Sequence, residues 1–199
     1  MSNTNSPFGF KHIGFSQGGA AATFGLRRVK IKADYGTALY AGDVLQDLGS
    51  GYCGVWSNAE GGNTVGVVRS FEYLSTSTGR KVWSTYLPTT DHAYDIDALV
   101  IPILGVPPQL FLVQAYSTYF TIAELGNKVQ PTAGTGTSIG GRGKSGMTVT
   151  AGSSTTNTYP FRVIDLYSSI AAKGVNGTDD TSNYNIVVVQ STPYEAVGV

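Results

Sequence analysis

Turn clusters recur through this chain at intervals too short for a helix of ordinary length. Between Val29 and Leu87 the segments YGT, DLGSG, NAEGGN and STSTG separate runs of β-branched, aromatic and aliphatic residues. Glycine lets the backbone reverse, and asparagine, aspartate and serine bond back to it, so each cluster ends one extended run and starts an antiparallel return. The runs bounded in this way are 29–34, 38–45, 51–56, 64–74 and 80–87. None carries the sustained 3.6-residue period of an amphipathic helix. With 26 glycines and 12 tyrosines in 199 residues, composition also disfavours long helices and suits strands joined by turns.

A second set of runs follows at 97–104, 109–115, 159–167 and 185–190. Within it ALVIPIL and NIVVVQ are nearly unbroken apolar stretches, which places them in sheets covered on both faces. The long Gly, Ser and Thr-rich stretch from Val129 to Thr158 reads as loops carrying one strand near 147–151, and KGVNGTDDTSN as a surface loop. The single helix candidate is TIAELGN, starting at Thr121 and closed by Gly126. The expected fold is mainly β with little helix. It has an N-terminal extended arm over residues 1–27, a small antiparallel β-barrel-like domain over 28–92, and a second β-rich, sandwich-like domain over 93–199.

The arm mixes Gly, Ser and Ala with spaced anchors Phe8, Phe10, Ile13, Phe15 and Phe24. It holds too many aromatics for a disordered tail and too much glycine for a regular strand, so it is expected to order on contact with a partner. Charge is unevenly placed as well. Residues 1–33 carry Lys11, Arg27, Arg28, Lys30 and Lys32 and no acid, whereas residues 82–127 carry Asp91, Asp95, Asp97 and Glu124 and no base. Either both are solvated faces, or the basic start docks on an acidic surface of a partner or sister subunit. Phe8, Phe10, Lys11, His12, Phe15, Arg27 and Arg28 are the candidate contact residues.

Thirteen basic and thirteen acidic residues leave no net charge, which argues against nucleic-acid binding by the whole surface. No apolar run approaches the ~18 residues of a membrane helix, and MSNTNSPFGFKHIG lacks the apolar stretch of an export signal. One cysteine, Cys53, allows no disulfide within the chain, and with two histidines it makes a poor set of soft metal ligands. GGRGKSG ends like a phosphate-binding loop, but the glycine required five residues before Gly143 is Ser138, and MTVTAG reads as a strand where a helix should begin. TTDHAYDID gathers Asp91, His92, Asp95 and Asp97, residue types that bind cations or orient a base, without the glycine-centred calcium-loop pattern; it reads as a solvated loop. Asn176-Gly177-Thr178 matches a glycosylation acceptor without an export signal to expose it. No catalytic, metal or cofactor residue is therefore assigned. The aromatic hairpin SFEYLSTSTGRKVWSTYLP could stack sugars or bases, but Phe71, Trp83 and Tyr86 are expected as core or subunit contacts.

In their order and spacing, several segments resemble the head decoration or cement proteins of tailed bacteriophages. These are PFGFKHIG, YAGDVLQDLGSGY, TVGVVRSFEYLSTSTGRKVWSTYLP, LFLVQA with IAELGNKVQPTAGTGTSIGGRGKSGM, and YPFRVIDLYS with YNIVVVQ, from about Pro7 to Gln190. The resemblance implies a non-enzymatic virion protein, made in the host cytoplasm, that binds the outer capsid surface and stabilises contacts between major capsid protein subunits. It would act as an oligomer, a homotrimer by preference and a homodimer otherwise, with the arm laid across neighbouring subunits and no cofactor, nucleic acid or membrane involved. Two other classes are a glycan-binding head fibre or tail component, using exposed aromatics, and a weak hydrolase with the 91–97 cluster in a cleft.

Overall fold

The segment TVGVVRSFEYL, eleven residues without a turn signal to interrupt it, forms the longest strand, β6 (Thr64–Leu74), and a six-stranded sheet is assembled around it. The computed structural model describes residues 3–16, 25–57, 64–103, 107–140, 142–150, 159–167 and 179–192. Strand order in this sheet is β2 (Arg27–Ile31), β9 (Ile96–Pro102), β6, β4 (Val44–Asp47) and β5 (Cys53–Val55). Two partners share the flank of β6 opposite β9. Residues 64–67 pair with β4, and residues 71–74 pair with β7 (Lys81–Ser84), giving the expected hairpin. Asp91 fastens its STSTG loop by accepting from Ser75 Oγ (2.8 Å), Thr76 Oγ1 (2.9 Å), Ser77 N (2.8 Å) and Ser77 Oγ (2.7 Å).

The second large sheet has the order β1 (Lys11–Phe15), β10 (Gln109–Gln114), β17 (Ile186–Ser191), β16 (Phe161–Leu166) and β11 (Lys128–Val129). Its central strand β17 buries Val187, Val188 and Val189 in succession, as an unbroken apolar run covered on both faces must. Three short pairs complete the fold: β3 (Leu39–Tyr40) with β8 (Tyr86–Leu87), β12 (Pro131–Thr132) with β15 (Thr148–Val149), and β13 (Thr137–Ile139) with β14 (Arg142–Lys144). The helix candidate is a single 3-10 turn, Ile122–Glu124, with a capping box between Thr121 and Glu124. Gly126, at φ +88°, turns the chain away immediately after it.

Two apolar cores result. The first lies between the large sheets, where Val44, Trp56, Val67 and Ile101 meet Phe111, Phe161, Val163 and Val189. The second, with Ile31, Leu45, Val68, Phe71, Leu87 and Val100, is enclosed by the six-stranded sheet and the β3–β8 pair. β9 hydrogen-bonds to β2 on one side and to β6 on the other, so the sequence division at 92/93 cuts through one sheet.

The opening segment departs most from expectation. Residues 3–16 belong to the chain's own fold: β1 pairs with β10, with His12 opposite Phe111. Phe10, expected to fill a partner's pocket, is 3% exposed, stacked on Phe161 with ring centroids 4.6 Å apart and edge-on to Phe111 at 6.2 Å. Arg27 and Arg28 open β2 and are not part of an arm. Arg28 reaches Asp97 (3.1 Å) and Glu72 (3.3 Å), Lys30 reaches Asp97 (2.7 Å), and Lys81 also pairs with Glu72. Much of the charge asymmetry seen in sequence is thus matched internally, because antiparallel pairing sets basic β2 beside the acidic start of β9. Residues 17–24 with Phe24, the NAEGGN turn, the 151–158 stretch and Asn176 lie outside the described residues.

Truncating Phe10 to Ala should cost about 3–5 kcal/mol, the usual loss for a buried aromatic. It should appear as a lower urea midpoint at an unchanged slope. Half-buried Phe8 should cost clearly less when truncated, and a wild-type midpoint for the Phe10 variant would return that ring to the surface.

Candidate functional site

Two glycines bring the N-terminal segment to its place. Gly9 has φ +72°, and a Cβ there would lie 2.4 Å from Ser145 Cβ and 2.8 Å from the Gly42 carbonyl oxygen. Gly42 has φ +96°, a Cβ on it would lie 3.3 Å from Phe8 O and Phe10 N, and its carbonyl accepts from Phe10 N at 2.9 Å. Beside this crossing sits Asp43, 4% exposed. Its carboxylate accepts from Ser145 Oγ (2.5 Å) and Tyr40 N (2.8 Å), while Ser145 Oγ accepts from Met147 N (3.0 Å). Burial pushes the Asp43 carboxyl up to about 6, against the opposing pull of the hydrogen bonds from Ser145 and Tyr40.

The same segment borders an open cleft of about 640 Å³. Its charged lining is Lys11, Arg69 and Lys144, joined by His12, and among the described residues no carboxylate side chain lines it. Each cation comes from a different element. Lys11 opens β1, Lys144 closes β14, and Arg69 is the extra residue where the β6–β9 register shifts between Val68 and Ser70. A bulge of this kind redirects a side chain that regular alternation would place elsewhere. Lys144 Nζ donates to Ser6 Oγ at 3.1 Å, and His12 Nε2 lies 2.7 Å from Gln109 Oε1. The ion pairs among the described residues take Arg28, Lys30, Lys32 and Lys81; Lys11, Arg69 and Lys144, like Arg27, Arg80, Arg142 and Arg162, are in none of them. Leu112, Ile101 and Ile186 supply apolar lining. Such a cleft can receive an anionic group that also carries an apolar portion.

Of the residues expected to make contacts, Phe8, Phe10, Lys11 and His12 line this cleft, and Phe15 is half-buried, edge-on to His12 at 6.0 Å. Phe71 is fully buried, and half-buried Tyr86 lies against Tyr40 with ring centroids 5.2 Å apart. Trp83, by contrast, is 58% exposed, which removes it from the core. The 91–97 cluster does not converge on one point. Asp91 holds the hairpin loop, Asp95 accepts from Tyr52 OH (2.8 Å) and Ala33 N (3.1 Å), and Asp97 binds Arg28 and Lys30. Among the described residues no three His, Cys, Asp or Glu side chains are grouped to hold a metal ion. Arg142–Lys144, within GGRGKSG, is a strand paired with β13, so no helix start faces a phosphate there. Cys53 is buried in β5.

Sequence reading missed Arg69, Lys144, Asp43 and Ser145 as site residues. In sequence the signal for Arg69 is a lone cation directly after the apolar pair Val67 and Val68, and Lys144 stands out only as part of the GGRGKSG motif. No family model, curated protein or solved structure matches the chain.

The Asp43 carboxyl has an ordinary value of 3.8 and a folded value of about 6, so between these limits the folded state binds more protons than the unfolded chain. Stability therefore falls as pH rises from about 4 to about 6, by about 3 kcal/mol, and loses nothing further from this group above that. Asp91, held well below the usual carboxylate range by its serine and threonine donors, acts in the opposite sense and only at lower pH. Urea titrations of wild type and Asp43→Asn across this window should show the fall in the first and a flatter profile in the second. An unchanged profile in the variant would assign the effect to another group.

Proposed function

We propose that this chain is a virion structural protein of a tailed bacteriophage, bound to the outer capsid surface as a homo-oligomer and bridging neighbouring major capsid protein subunits. The observation that carries this reading is the outward display of large apolar side chains. Trp83 is 58% exposed, Tyr94 69%, Ile122 72% and Ile139 81%. Buried polar groups such as Asp43 and Asn185 meanwhile hold loops and strand ends in place. Side chains displayed in this way are available for coverage by a partner, where large aromatics are enriched. The likeness in segment order from PFGFKHIG to YNIVVVQ supports the same reading. In its finer form, this reading takes residues 28–92 as a small barrel-like unit, extended by β9, and the rest of 93–199 as a sandwich-like region.

A homotrimer is the preferred assembly, with a homodimer second. Burying one exposed aromatic contributes roughly 1.5–3 kcal/mol. A single subunit with a few such contacts would bind weakly, whereas linked subunits raise avidity by ~10²–10⁴. With Phe10 internal, the grip belongs to the exposed aromatics and the basic cleft. Exposed Trp83 and Tyr94 also favour a second reading, a glycan-binding head fibre or tail component, since such rings stack on sugars.

Quantitative mass spectrometry of purified virions separates the two. Hundreds of copies per particle support capsid decoration; a handful moves the chain to a fibre or the tail, and absence overturns both. Trp83→Ala should change stability by no more than about 0.5 kcal/mol, as expected for a surface position. It should nevertheless weaken capsid attachment or oligomer formation, read by co-sedimentation with capsids and by analytical ultracentrifugation. Full attachment and an intact oligomer would remove Trp83 from the contact.

A further inference from the structure

We propose that the cleft between the N-terminal segment, the β6 bulge and β14 is a binding site for an acidic peptide segment. The carboxylates of that segment would pair with Lys11, Arg69 and Lys144, and its apolar side chains would lie on Leu112, Ile101 and Ile186. The occupant's being a capsid segment rests on the function proposed above; its being an acidic peptide rests on the cleft.

The electrostatic part follows from how the chain uses its charges. On the face formed by β2, β9 and β7, cations and carboxylates are matched within ion pairs, including a buried Glu72 reached by both Arg28 and Lys81. In the cleft, three cations from three elements border one concavity with no acid among the lining residues. Gathering like charges around a partly enclosed space is unfavourable in the free protein, and an anionic ligand relieves it. The Arg69 guanidinium can hold a carboxylate through two parallel N–H donors, while the two ammonium groups act as point charges beside it.

Phosphate is the competing anion, and the backbone disfavours it. Phosphate sites built on main chain present several free N–H groups converging on one point. Here Gly42 N donates to Val68 O (2.9 Å), Phe10 N to Gly42 O (2.9 Å) and Ser6 N to Gln114 Oε1 (3.0 Å), so these N–H groups along the rim are already engaged. The apolar lining points the same way, because a hydrated inorganic anion gains nothing from Leu112, Ile101 and Ile186, whereas a peptide with apolar residues between its acids does. A volume of about 640 Å³ accommodates a few side chains and not a nucleic-acid duplex.

The test is isothermal titration of the full chain with three probes: a synthetic peptide alternating glutamate and leucine, the same peptide with lysine in place of glutamate, and inorganic phosphate. The expected result is saturable binding of the glutamate peptide alone, weakened by added salt. It should fall at least tenfold in Arg69→Gln and in Lys144→Gln, with unchanged thermal melts because both side chains are exposed; Lys11→Gln is the reserve variant should either fail to fold. Absence of glutamate-peptide binding, or full binding in all three variants, overturns the proposal. Equal binding of the lysine peptide assigns any affinity to the apolar lining and overturns the charge pairing. Phosphate binding as tight as the peptide makes this a general anion site and overturns the peptide assignment. Peptide binding by a chain absent from virions would leave this site standing and remove the capsid reading; a chain abundant in virions that binds no peptide would do the reverse.

Discussion

A buried carboxylate holds together parts of this molecule that lie about a hundred residues apart in sequence. Asp43 lies in the tight turn between β3 and β4, accepts from the backbone N–H of Tyr40, and accepts a hydrogen bond from the hydroxyl of Ser145, 102 residues on. Its backbone is equally committed, for the Asp43 carbonyl accepts from Val68 N, and Gly42 N donates back to Val68 O. Val44 N turns towards Met147 Sδ at 3.2 Å. Removing one partner from such a group leaves a desolvated charge or donor behind, which costs more than the bond contributes on average. The N-terminal segment can lie across the turn only because Gly9 and Gly42 leave no side chain in the way. The cleft's position depends on that crossing, since Phe8, Lys11 and His12 reach it from this segment.

The same local devices serve both stability and recognition. Asp91 spends its lone pairs on a loop that would otherwise be a free string of serines and threonines, and the hairpin it closes carries Trp83 outward. The bulge at Arg69 interrupts the ladder with β9 and turns a cation into the cleft. Neither feature is a defect in a regular sheet; each sets one side chain at the surface by fixing the backbone beneath it.

Much of the strand layout was legible in the sequence. TVGVVRSFEYL was bounded by turn clusters on both sides, so β6 was read at its observed limits, and NIVVVQ announced a central strand by its unbroken apolar run. The Ala38–Leu45 run was harder, because Gly42 and Asp43 form a turn inside it, and what reads as one strand is the two strands β3 and β4. Pairing was least visible. Nothing local to KHIGF says that its partner is LFLVQ almost a hundred residues later, and without that partner PFGFKHIG looks like an arm meant for another molecule. The charge asymmetry misled for the same reason, since RRVKIK and the acids of β9 and β6 become neighbours only through sheet order. The cleft depends on all of these at once: Lys11, Arg69 and Lys144 are scattered in sequence, and only the pairing of β1, the β6 bulge and β14 makes them one lining.

The pairing of β1 with β10, and of β10 with β17, also governs the order in which the molecule can be made. As the chain leaves the ribosome, residues 11–15 must wait for residues 109–112, and the sheet holding both is incomplete until 186–191 emerge. Until residue 161 is made the Phe10 ring has no Phe161 to stack upon, and until 186–191 emerge the first core lacks part of one wall. The six-stranded sheet is complete once residue 102 is out, so it can form early, while the five-stranded sheet forms only after residues 186–191 are out. Contacts of such long sequence separation slow folding. They also leave aromatic surface uncovered in the nascent chain, where it can meet other nascent copies before its own sheet closes.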